Sequence, residues 1–152
     1  MPTTLVDVNL NNLVVVTVSL QLAFFGWRLV REIAVGDKEE EKGKVWRTWV
    51  PWPDRVNLAS LLLVTTACVI APLIMGRFTV VSRAVLVSAV VLWMCHPLSV
   101  ACHYELFRGG RRIVYGEPDK WPKATLSEGI VLLGSVLLAL SAGFLAWCVL
   151  AR

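Results

Sequence analysis

The sequence predicts an all-α integral membrane protein in which four transmembrane helices form a bundle. Hydrophobic residues make up 57 % of the 152-residue chain and charged residues only 17 %, against about 45–50 % and about 25 % in soluble domains. The apolar residues gather in four windows, each long enough to cross a hydrocarbon core of about 30 Å as a helix. The windows are 10–30, 56–76, 80–102 and 126–150. This composition excludes a soluble enzyme, a nucleic-acid-binding domain and a disordered chain.

The first window, 10–30, is expected to be a retained membrane anchor, because no basic segment precedes it and no small-residue cleavage site follows it. Gln21 is a polar group at membrane depth and needs a hydrogen-bond partner. Arg28 lies near the end of the window, where its long side chain is expected to extend to the lipid headgroups. We expect the helix to run about two turns further and to end at Gly36 in a left-handed conformation.

The first long connection, 31–55, combines a solvated charge run with an aromatic stretch. Its tryptophans predict a segment that lies on the membrane surface with its rings at headgroup depth. Alternatively, the tryptophans and neighbouring arginines bind a partner or an anionic ligand by stacking and charge. The candidate residues here are Arg28, Arg31, Trp46, Trp49 and Trp52.

The second and third windows are predicted to form a tight antiparallel hairpin, because only three residues join them and Gly76 and Thr79 suit a turn.

The third window carries the doublets Cys95-His96 and Cys102-His103. Both histidines fall on nearly the same helix face, about 10 Å apart, which is too far for one metal ion. We expect a neighbouring helix to bond His96 and His103 to lie at the interface. Haem ligation by either histidine and a pH- or ligand-sensing switch are the alternatives.

The fourth window carries the small residues Ser135, Ala139 and Gly143 at four-residue spacing, which predicts a helix-packing face. Glu128 follows Thr125 at the spacing of a capping box, so its carboxylate is expected to cap the helix. No acid lies at mid-membrane in any window, which argues against an ion-coupled transporter.

A pattern of an aromatic residue, two arginines, an isoleucine, a glycine and an acid occurs at 27–37 and again at 107–117. It predicts an internal duplication in which each half is a helical hairpin. The arginines of the second copy and the tryptophan after it add a second surface set in the loop 103–125, comprising Arg108, Arg111 and Trp121.

The distribution of lysine and arginine predicts the orientation. Of the 15 basic residues, all but Arg77, Arg83 and Arg152 flank or fill the connections 31–55 and 103–125. Positive loops stay on the cytoplasmic side during insertion, so both termini are expected outside and both long loops in the cytoplasm. A plasma (inner) membrane location follows from this expectation.

These features favour a single transmembrane domain, 1–152, that works without catalysis. The leading hypothesis is an accessory or structural subunit that assembles with other membrane proteins or with copies of itself. The second is a homo-oligomeric pore or membrane-disrupting effector gated through the tryptophan and arginine loops. The third is a haem- or metal-dependent redox protein that uses His96 and His103, the weak candidates for cofactor binding. No cofactor, no catalytic residue and no nucleic-acid partner is otherwise predicted.

Overall fold

The computed structural model describes residues 5–41, 50–103 and 126–151, and this part of the chain is helical without a strand. Four of its helical stretches are long and apolar enough to cross a membrane: Asn9–Ala34, Trp52–Met75, Val80–His103 and Leu126–Leu150. The prediction of an all-α membrane protein is therefore confirmed at this level.

The first helix, α1, runs from Leu5 to Glu40 and is longer than predicted. Gly36 lies inside α1 and does not end it, so the prediction of a left-handed end at Gly36 was wrong. Glycine adopts the right-handed helical conformation as well as the left-handed one, and the glutamates that follow are good helix formers. The helix consequently continues past the expected stop.

The second helix, α2 (Trp52–Val64), begins four residues before the predicted window. Pro51 precedes α2 in an extended conformation, and Pro53 lies in its first turn, where a helix needs no backbone N–H. The earlier start brings Asp54 and Asn57 into the helix, and both side chains are buried.

The helix then widens into a π-helical turn, Thr65–Ile70, before α3 (Ala71–Met75). Pro72 lies in the first turn of α3. Because proline has no N–H and its ring crowds the carbonyl four residues back, a regular helix is strained there. The widened turn relieves this strain and keeps the span continuous.

The predicted turn between the second and third spans is confirmed. Gly76 has a φ of 68° and its N–H donates to the Pro72 carbonyl at 2.8 Å. The Thr79 hydroxyl then accepts a hydrogen bond from the Ser82 N–H at 3.0 Å, which caps α4 (Val80–His103). The chain thus reverses within a few residues.

Consecutive spans are antiparallel neighbours. Gln21 and Arg28 of α1 contact Ser60 and Asp54 of α2 in reverse order. Along the next pair of spans, Cys68 contacts Ser82, and Asp54 lies against His96. The apolar core between the helices contains Val14, Val64, Cys68, Leu86 and Ala89.

The last helix, α5 (Leu126–Leu150), packs on α4. Gly143 lies against Ser88 and the Ala84 carbonyl, with no room for a side chain. Among the described residues, α5 makes no comparable contact with α1 or α2. One helix, α4, is therefore the neighbour of all the other spans. The second copy of the repeated pattern, 107–117, lies outside the described residues.

Candidate functional site

A cluster of polar side chains lies where α1 and α4 end and α2 and α5 begin. Each member exposes 7 % of its surface or less, although each belongs to a candidate membrane span. Ionisable groups within spans are costly and mark functional sites. The polar cluster consists of Gln21, Arg28, Asp54, Asn57, Ser60, His96, Ser99, His103 and Glu128.

A buried ion pair between Arg28 and Asp54 is the strongest contact of the polar cluster. Arg28 donates from Nε and Nη2 to Asp54 Oδ2 at 3.1 and 2.9 Å. Its side chain is 2 % exposed and also lies 3.6 Å from Glu32, one turn further along α1. The prediction that Arg28 extends to the headgroups was therefore wrong, because a carboxylate on α2 offers a paired interior position.

His96 brings α4 into the same cluster. Its Nε2 atom lies 3.3 Å from Asp54 Oδ1, the carboxylate oxygen on the side away from the closest Arg28 contacts. The ring of Phe24 on α1 meets the imidazole edge to face, with ring centroids 5.2 Å apart. Asp54 thus connects three helices. A neighbouring helix contacts His96 at ion-pair distance, although the Nε2 atom makes no hydrogen bond there.

Uncharged polar groups extend the cluster one to two turns deeper. Gln21 Nε2 donates to the Ser60 hydroxyl at 3.1 Å. Gln21 Oε1, both polar atoms of Asn57 and the Ser99 hydroxyl are buried without a hydrogen-bond partner. Gln21, which was expected to need a partner at membrane depth, is fully buried between α1 and α2. It is consequently absent from the lipid-facing surface of the chain.

A second histidine–carboxylate pair joins α4 to α5. His103 Nδ1 and Glu128 Oε2 are hydrogen-bonded at 2.9 Å, and Glu128 is fully buried. Sequence reasoning assigned His103 to the interface and Glu128 to a cap with Thr125, which lies outside the described residues. His103 is 4 % exposed and supplies a partner to the buried Glu128 carboxylate, which such a group needs.

The two histidines do not form one metal site. In the described part of the chain no three histidine, cysteine, aspartate or glutamate side chains lie close enough to hold a metal ion. None of the four cysteines forms a disulfide. Each histidine is instead paired with a carboxylate on a different helix.

The residues predicted at the membrane surface are separated by the structure. Trp52 is half exposed, and the Arg55 guanidinium lies 5.1 Å from its ring, while Arg31 is exposed on α1. Arg28 belongs to the buried cluster instead. The remaining members, Trp46, Trp49, Arg108, Arg111 and Trp121, lie outside the described residues.

An apolar groove lies beside the polar cluster, with α4 as its floor and α2 and α5 as its walls. Its volume is about 470 Å³, within the range of ligand pockets. Leu140 and Phe144 on the α5 wall are more than 60 % exposed, so the groove is open on one side. Many lining side chains are small: Ala59, Ala84, Ser88, Ala89, Ala139 and Gly143. We call this feature the lateral groove.

The predicted packing residues of α5 meet α4 beside this groove. Ala139 and Gly143 line it, and all three predicted residues, Ser135, Ala139 and Gly143, are buried. Ser135 donates its hydroxyl hydrogen bond to the Val131 carbonyl of its own helix at 2.7 Å, so the hydroxyl needs no partner on another helix.

Sequence reasoning missed Asp54 because it was assigned to a loop. Asp54, Asn57 and Ser60 recur at three-residue spacing, which places them along one face of a helix. That spacing was the available signal. No known protein family matches the chain, and neither a curated protein nor a solved structure matches it.

Proposed function

We propose that this protein is a small non-catalytic tetraspan membrane protein that acts by assembly, as an accessory subunit of a membrane complex. The observation that carries the proposal is the lateral groove. Among the described residues α5 packs mainly on α4, and an open groove lies between α2 and α5 along at least two helical turns. We infer that a transmembrane helix of a partner subunit occupies this space.

The chemistry of the groove favours a helix over other occupants. Association between helices in lipid depends on close backbone approach, because the hydrophobic effect does not act between them. The floor and walls carry alanine and serine residues and one glycine, which permit such an approach. Ser60 and Ser88 line the groove as well, and serine is a residue that lets helices approach closely.

The polar cluster supports a structural role for the rest of the molecule. Its charged groups contact one another, and the Gln21 amide nitrogen bonds Ser60, so that the contacts join α1, α2, α4 and α5. A pore would need polar groups along a surface shared between copies, and Gln21 is enclosed within one chain. In the arrangement we propose, two tandem hairpins form the bundle, with both termini outside and both long loops in the cytoplasm of a plasma membrane.

The test compares two leucines of the same helix. Leu140 lines the lateral groove and is 62 % exposed, whereas Leu138 is 56 % exposed and points away from it. A photo-crosslinking amino acid at position 140 should capture a membrane-protein partner in native membranes, and the same probe at position 138 should not. Mass spectrometry identifies the product.

A matched pair of tryptophan variants tests the same surface without a probe. Leu140→Trp fills the groove, so we expect at least a tenfold loss of partner co-purified in mild detergent, while Leu138→Trp retains it. Capture of a second copy of this chain at position 140 would replace the subunit proposal with self-assembly. Equal capture at both positions, or lipid alone, would reject the groove as a docking site.

A further inference from the structure

We infer that the two buried histidine–carboxylate pairs form a proton-binding site that controls the width of the lateral groove. The pairs are His96–Asp54 and His103–Glu128. The regulatory role rests on the proposed docking of a helix in the groove. Proton binding by the two pairs is independent of that docking.

The position of the pairs links them to the groove. His96 and His103 both belong to α4, the floor, and lie about two helical turns apart. Asp54 belongs to α2 and Glu128 to α5, the two walls. Besides its apolar packing, each wall therefore meets the floor at one histidine–carboxylate contact, and both contacts lie at the same end of the helices.

Histidine is the side chain whose ordinary charge change falls between about pH 5 and pH 8. A protonated imidazole forms a charge-assisted contact with a carboxylate, which is about twice as strong as a neutral hydrogen bond. Proton binding should therefore hold both walls more firmly against α4, and proton release should loosen them.

Charged groups on two other helices lie close to His96. Asp54 faces it from α2, and Arg28 of α1 pairs with that carboxylate while also lying near Glu32. The Phe24 ring, 5.2 Å from the imidazole, is within the distance at which an aromatic ring attracts a cation.

The remaining titratable neighbours belong to α4 and α5. His103 faces Glu128 on α5 two turns from His96, and the Cys95 and Cys102 thiols lie beside the histidines on α4. Ser99 lies between the histidines on the same face, with its hydroxyl buried and unpartnered.

Proton binding can be measured directly, because the chain contains two histidines. Histidine-selective ¹⁵N labelling of the full, untagged chain in lipid nanodiscs should give two imidazoles, assigned with His96→Gln and His103→Gln. We expect both to bind a proton between about pH 8 and pH 5. Because Asp54 contacts His96, Asp54→Asn should shift the titration midpoint of the His96 signal. Glu128→Gln should do the same to His103 alone.

Either imidazole remaining in one protonation state across this range overturns the inference. So does a midpoint that does not respond to removal of the facing carboxylate. The wild-type titration needs no substitution, and Glu128→Gln provides a second test if Asp54→Asn does not fold.

The groove width is measured without any partner. The four natural cysteines are first replaced by alanine. Spin labels are then attached at Leu62→Cys on α2 and Leu138→Cys on α5, two exposed positions. The distance between the labels reports the distance between the walls. We expect a shorter distance at pH 5 than at pH 8, and no change in the His96→Gln/His103→Gln double variant. An unchanged distance overturns the control of groove width. If both histidines titrate and the distance changes with pH, but the probe at position 140 captures no helix, only the assembly proposal is rejected.

Discussion

Asp54 is the residue on which the polar cluster depends, because its two oxygens face Arg28 of α1 and His96 of α4. A buried charge without a partner is far more costly in a membrane than a surface charge. The pairing explains why two charged side chains lie within candidate spans at 2 % and 3 % exposure.

A double-mutant cycle tests this pair. Arg28→Leu removes the closest cation beside Asp54, and Asp54→Leu removes the closest anion beside Arg28, so each should lower the free energy of unfolding by as much as about 3–5 kcal/mol. The double variant removes both charges and should recover most of that loss. Equilibrium denaturation in detergent gives the four free energies.

The control for this cycle is Arg55→Leu, which removes an exposed arginine of α2 and should cost less than about 1 kcal/mol. Additive losses in the double variant would show that Arg28 and Asp54 do not act as a pair.

At the scale of single helices, the contact between α5 and α4 shows why the small residues are spaced as they are. An added Cβ at Gly143 would overlap the Ser88 hydroxyl and lie 3.0 Å from the Ala84 carbonyl. The spacing of Ser135, Ala139 and Gly143 led to the expectation of a packing face. The sequence did not indicate that α4 is the helix they meet.

Two glycines of α5 provide a matched comparison. Gly143→Ala should destabilise the protein by about 1–3 kcal/mol, because the backbone of α4 must move away. Gly134→Ala meets nothing within 4 Å and should be neutral or stabilising, since alanine is the better helix former. Thermal unfolding of the two variants in detergent measures the difference. Equal melting temperatures would contradict the close approach of α4 and α5.

At the scale of the whole molecule, α4 organises the chain by contacting α1, α2 and α5. The lateral groove and the polar cluster both follow from this arrangement. The groove lies on one side of α4, and the two histidines of α4 contact the helices that form its walls.

The orientation in the membrane is a separate prediction at this scale. Arg77→Cys in the short turn should react with a membrane-impermeant maleimide from outside right-side-out vesicles. Glu40→Cys at the end of α1 should react only after permeabilisation, because the basic residues gather on that side. Both substitutions are made in a chain whose natural cysteines are alanine. The reverse labelling pattern would invert the proposed topology.

The sequence by itself determined that the chain is helical, where its four spans lie within a few residues, and where the short turn reverses it. These properties depend on local composition, because every backbone group within a membrane span must be satisfied inside the helix. Gly76 and Thr79 could be identified as turn residues from the sequence because turn preference is a property of single residues.

Only the tertiary structure decided which polar groups meet. Arg28 and Asp54 are 26 positions apart, and His103 and Glu128 are 25 apart, so no local pattern relates them. Arg28, His103 and Glu128 all seemed suited to the membrane surface or a helix end when each was considered alone. Their burial is decided by antiparallel packing, because a charged group can remain inside a membrane protein only where another helix supplies its partner.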